Sequence, residues 1–168
     1  MIATDTIIQD TINAMQALHA GVDGVENAPQ VVQYPTAIDT AARPYVITWP
    51  GPATWHHEGM GGSPRRQDRT MFVLCYIDPL GQNDIPTRLA SGILVMQRLV
   101  DVWLTPSSIA LHNPTAAEPW QTTVEESSNS PHSDEGIVSN LMFRGVPWTG
   151  FQLSVRVRIK WGFGGTLP

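Results

Sequence analysis

Residues 149–161 read Thr-Gly-Phe-Gln-Leu-Ser-Val-Arg-Val-Arg-Ile-Lys-Trp. Phe151, Leu153, Val155, Val157, Ile159 and Trp161 alternate without a break with Gln152, Ser154, Arg156, Arg158 and Lys160. Successive side chains of a strand point to opposite faces, so this period of two predicts a long strand with one apolar and one polar face. A strand of that kind needs partners and a covering layer, and the rest of the chain supplies candidates for both. Immediately upstream, 136–144 reads as a second strand, joined to the first around Gly145-Val146-Pro147.

Further upstream, 70–77 is apolar at nearly every position, the pattern of a strand covered on both faces. Asp78-Pro79-Leu80-Gly81 turns the chain into a helix over 84–104, with Pro86 in the first turn where its missing N–H costs nothing. Leu89, Ile93, Met96, Val100 and Trp103 form the expected buried stripe of that helix. Before it, Tyr45-Val46-Ile47-Thr48-Trp49 reads as a strand that Pro50-Gly51 ends. Near the N-terminus, Ile8, Ile12, Met15, Leu18 and His19 give one helical stripe over about 5–20, with Thr6 to Gln9 in the form of a capping box and Gly21 at the stop. A short strand is expected at 31–34. The fold class is therefore α+β, a mainly antiparallel sheet packed with one long helix and an N-terminal helix. Long exposed loops are expected at about 50–69 and 113–135.

Composition narrows the function. The 168 residues suit a single domain over 1–168, with 42% hydrophobic and only 15% charged residues, 14 Gly and 14 Pro. The longest apolar run, 71–77, is far short of the about 20 residues of a membrane span. No basic-then-apolar leader opens the chain, and the lone Cys75 lies in an apolar run, so folding in a reducing cytoplasm without disulfides is expected. The formal net charge is −5, which disfavours a generic nucleic-acid binder.

No phosphate-cradling loop, dinucleotide fingerprint, nucleophile elbow or zinc-type Cys/His spacing is present. His56-His57-Glu58 carries metal-ligating groups, but neighbours on an extended chain diverge, and a site would need His112 or His132 from elsewhere. His132-Ser133-Asp134 does not make a triad by adjacency. No catalytic residue, metal or cofactor is assigned. Two features carry more weight. Arg156, Arg158 and Lys160 form a basic comb on one strand face, read either as a solvated face or as a subunit contact meeting an acidic stretch that includes Glu125 and Glu126. The segment holding Trp55, His56, His57, Arg65 and Arg66 is a candidate partner-contact loop. Trp49, Trp55, Trp120, Trp148 and Phe163 sit at element ends or in loops, as plugs of the sheet ends or as anchors for another chain.

The order of these elements is similar to that of the tail terminator (tail-completion, head–tail joining) proteins of long-tailed bacteriophages. The resemblance covers nearly the whole chain and is one of length and layout: the 43–51 strand, a long loop, the 70–77 strand passing through Asp78-Pro79 into the long helix, an irregular insertion, and a hairpin ending Arg-Val-Arg-Ile-Lys-Trp-Gly at 156–162. It implies a non-enzymatic virion protein at the tail–neck junction that closes with copies of itself into a six-fold ring. Such a ring caps the tail tube protein, ends its polymerisation and offers a surface to the head-side connector. Genomic DNA passes through the lumen without specific binding, and the comb belongs at the subunit interface or outer wall. Another neck or minor tail protein is the alternative, and a small hydrolase using His56, His57 or Glu58 is a more distant one.

Overall fold

The computed structural model describes residues 4–39, 41–57, 65–79, 85–104, 110–113, 120–124 and 136–161. It is an α+β fold, with two helices on a curled antiparallel sheet. Helix α1 spans Thr4–Ala20, and α2 spans Ile85–Leu104. The strands are β1 (Tyr45–His57), β2 (Arg65–Pro79), β3 (Ala110–Asn113), β4 (Trp120–Val124), β5 (Gly136–Phe143) and β6 (Val146–Trp161). Their order is β1-β2-β6-β4-β3, and β5 also pairs with β6. Among the described residues no helix is long and apolar enough to cross a membrane.

The alternating segment is the spine of the sheet. β2 lies along almost the whole of one side of β6, from Arg65 opposite Trp161 to Pro79 opposite Trp148. On the other side β5 takes the first half, with Phe143 opposite Val146, and β4 takes the end, with Trp120 opposite Trp161. The odd-numbered β6 residues from Phe151 to Ile159 are fully buried, as their period demands. With Met71, Val73, Cys75 and Ile77 of β2 they meet Ile12 and Met15 of α1 and Val95, Leu99 and Trp103 of α2. The opposite sheet face divides in two. Tyr45, Ile47, Tyr76, Leu141, Phe143 and Trp148 form a second, smaller core where β5 curls over the sheet. Beyond Gln152 the same face turns polar.

Two glycines allow this arrangement. A Cβ on Gly150 would lie 2.0 Å from the Cys75 carbonyl oxygen, so the close approach of β6 to β2 there requires glycine. Gly145, at φ +84, follows Arg144 at φ +47, and the two make the tight β5–β6 turn with both φ values positive, as two-residue hairpins prefer. Val146 and Pro147, expected in the connection, already belong to β6.

Several expectations are corrected. Pro50-Gly51 does not end β1. The chain takes up two residues, Gly51 and Pro52, between the Pro50–Met71 and Ala53–Arg69 pairs, and the strand runs on to His57. This β-bulge tolerates a proline because β1 is an edge strand. The expected loop at 50–69 is thus strand over 50–57 and 65–69, and part of the 113–135 loop is strand β4. Residues 31–33 form a 3₁₀ turn rather than a strand. Thr6 lies inside α1, so the capping-box reading fails. On α2, Trp103 is buried as expected and Met96 and Val100 pack part-buried against the core, but Gly92, Val95 and Leu99 are the other buried positions, and Ile93 is 39% and Leu94 51% exposed. The apolar surface of α2 is wider than its contact, and the position of the sheet sets where burial is deepest. Trp148, expected at an element end, is buried in β6 with its ring edge-on to Tyr76. Trp49 lies within β1 rather than at its end and packs edge-on to Tyr34.

Candidate functional site

The polar half of the second sheet face is where the comb lies. Arg156, Arg158 and Lys160 occupy alternate positions of β6, opposite Thr70, Asp68 and Arg66 of β2. The bulge in β1 decides what joins them. Inserting one residue reverses the facing of everything after it, so Thr54 and His56 pair with Asp68 and Arg66, while Trp55 pairs with Gln67. Without that insertion His56 would have stood on the helix-covered side.

Asp68 is the centre of the cluster. Arg66, two residues earlier on the same strand, donates from Nε to Oδ1 at 3.1 Å and from Nη2 to Oδ2 at 2.6 Å. Arg158, directly across on β6, donates from Nε to Oδ1 at 2.9 Å and from Nη2 to Oδ2 at 3.4 Å. His56 Nε2 lies 3.2 Å from Oδ2. Two guanidinium forks on one carboxylate make a planar, charge-assisted arrangement that lysine does not reproduce. Partial burial works against the Asp68 charge, but the hydrogen bonds and charges of Arg66 and Arg158 outweigh it and hold the carboxyl well below the usual carboxylate range.

One acid does not neutralise this face. Among the described residues, Arg66, Arg156, Arg158 and Lys160 place four fixed cations around Asp68, an excess of three positive charges on a chain whose formal charge is −5. Arg158 and Arg66 are spent on Asp68. Arg156 is exposed and Lys160 half-exposed, and neither meets a carboxylate among the described residues. A shallow groove of about 400 Å³ runs beside Arg156, lined by Pro52, Thr54, His56 and Asp68.

The other expected site residues fall as follows. His57 and Arg65 are the last paired positions of β1 and β2, next to His56 and Arg66, so the candidate contact residues sit on strands and not on a loop. Trp55 is half-exposed. Glu58, Glu125, Glu126 and His132 lie outside the described residues, as does the expected acidic mate of the comb. His112 stands opposite Gln121 at the far edge of the sheet, on β3. Among the described residues no three His, Cys, Asp or Glu are grouped to hold a metal ion. Cys75 is fully buried, and burial pushes its thiol far above the ordinary cysteine range.

Asp68 and Gln67 were missed in the sequence reading. The Arg66-x-Asp68 spacing on a strand was the available signal, because i and i+2 share a face. Compared with known proteins, the chain matches no protein-family model and shows no significant similarity to a curated protein.

Proposed function

We propose that this chain is a structural virion subunit that closes with copies of itself into a ring, as a tail terminator does, capping a tail tube and joining it to the head-side connector. The observation that carries the reading is the uneven charge. Among the described residues three excess positive charges gather on one sheet face, and a formal charge of −5 then leaves a surplus of about eight negative ones on the rest of the chain. A ring forms through a heterologous contact, one patch of a subunit against a different patch of the next. A cationic face and an acidic remainder suit such head-to-tail pairing and oppose face-to-face pairing. Arg156 and Lys160 are the members of the comb left to make the contact, while Arg66 and Arg158, fixed by Asp68, hold the face in shape.

Light scattering on the purified chain tests the reading. Six copies of an 18.4 kDa subunit give about 110 kDa, and negative-stain images should show annuli of uniform diameter. A second arm adds purified tail tubes of the same virus and looks for density at one tube end. A stable monomer that binds no tube overturns the proposal.

A further inference from the structure

A second site lies on the helix side of the sheet, and its Arg69 also borders the groove beside Arg156. Between α1 and the outer edge of β1 runs a groove of about 320 Å³, lined by Ile8, Ile12, Val31, Tyr34 and Trp49 together with Arg69. Its walls are almost wholly apolar, and Trp49 is 44% exposed at its rim. Arg69 is the anomaly. Its Nε donates to Gln67 Oε1 at 3.2 Å and its Nη1 to the Gly51 carbonyl at 2.6 Å. Both acceptors are neutral, so among the described residues no carboxylate answers this half-buried cation. A guanidinium has five N–H donors, and two are used.

We infer that this groove docks a segment of a partner protein that presents a large apolar side chain with an aspartate or glutamate close beside it, the carboxylate reaching Arg69. Charge complementarity selects the acid, because a desolvated guanidinium without a counter-charge is costly and a carboxylate matches its fork. The shape selects a protein over a free small molecule. The groove is open along one side, so a free ligand would stay largely wet, whereas a side chain held by a partner has its outer side covered by that partner. Pro50 and Pro52 deny the β1 edge two N–H donors, which points to side-chain insertion in place of an added strand. The inference is independent of the ring reading.

The test uses the full chain, labelled, on an array of short synthetic peptides. Each carries one Trp, Phe or Leu and one Glu, at spacings from adjacent to one helical turn apart, and each has a twin with Gln in place of Glu. Glu peptides should bind about tenfold more tightly than their twins, with the Trp49 indole N–H signal shifting saturably in NMR spectra. Arg69→Gln should erase the difference and Arg69→Lys should retain part of it, while Arg144→Gln, on the exposed β5–β6 turn, leaves it unchanged. The comparison of twins on the unaltered protein decides the matter even if an Arg69 variant fails to fold. Equal binding of Glu and Gln twins overturns the proposal. So does the absence of any binding peptide, including the case where dodecanoate alone shifts the Trp49 signal, which would make the groove a lipid site.

Discussion

His19 is a histidine used as a core residue. Its Nε2 accepts the Trp103 indole N–H at 3.1 Å, so Nδ1 carries the ring proton and donates to Gln16 Oε1 at 3.1 Å. Gln16 completes the network by donating to the Pro29 and Val46 carbonyls, each at 2.9 Å, and accepting from the Thr48 hydroxyl at 2.7 Å. Three elements are tied together through one buried amide. A second proton on His19 would point at the Trp103 donor, and burial lowers the pKa from 6.5 to about 3. The unfolded chain therefore takes up this proton at higher pH than the folded one. Stability is whole above pH 6.5 and falls as the pH drops towards 3, by about 1.4 kcal/mol per unit. Urea unfolding should show a loss of about 2 kcal/mol between pH 7.5 and 5, and His19→Gln should flatten most of that slope. Equal slopes would contradict the assignment. Gln16→Leu, which removes the partner of four polar groups at once, should cost about 3 kcal/mol or more, measured in the same titration. From sequence His19 was recognisable as part of the α1 stripe, because its spacing marks the inner side. Gln16 was not, since a glutamine beside a stripe reads as polar surface until its partners are known.

At the scale of elements, β6 shows how one strand reports two environments. Its odd members are apolar throughout, and its even members change from Trp148 to Arg156, Arg158 and Lys160 along the strand. The change marks where β5 stops covering the second face. Gly150 and Gly145 separate two reasons for a glycine. Gly150→Ala drives a methyl into the Cys75 carbonyl and should cost about 3 kcal/mol or abolish soluble expression. Gly145→Ala meets open space and should cost only about 1 kcal/mol, from its left-handed backbone. Thermal melts of the two variants distinguish them, and equal losses would contradict this account. On α2, Leu94→Lys should change the stability of the isolated subunit by less than about 0.5 kcal/mol, because its side chain is half in water. The α2 stripe was legible in part: Trp103, Met96 and Val100 do meet the core, whereas Ile93 and Leu94 extend the apolar surface past the contact line. The strand β1 was cut short for a different reason: Pro-Gly ends most strands, and a bulge on an edge is the exception.

For the whole molecule, the clustering of cations matters more than the net charge. If Arg156 and Lys160 join subunits, raising salt from about 50 to about 500 mM shrinks the screening length from about 14 to about 4 Å, and the mass seen by light scattering should fall. The double substitution Arg156→Glu with Lys160→Glu should lower it already at low salt, whereas Arg144→Glu, on the β5–β6 turn, should not. Unchanged mass in the double variant would remove the comb from the interface.

What the residues alone determined is local: the strand period of 149–161, the helical spacing of the two helices, the burial of Cys75 and the grouping of three cations on one strand face. These are legible because side-chain direction repeats every two or 3.6 residues whatever the surroundings. What only the tertiary structure decided is where along the apolar surface of α2 burial is deepest, which acid answers Arg158, and which face receives His56. Each depends on registry between segments far apart in the chain. An insertion of one residue at Gly51–Pro52 reverses a strand's faces, and no local pattern records the partner against which that residue is extra.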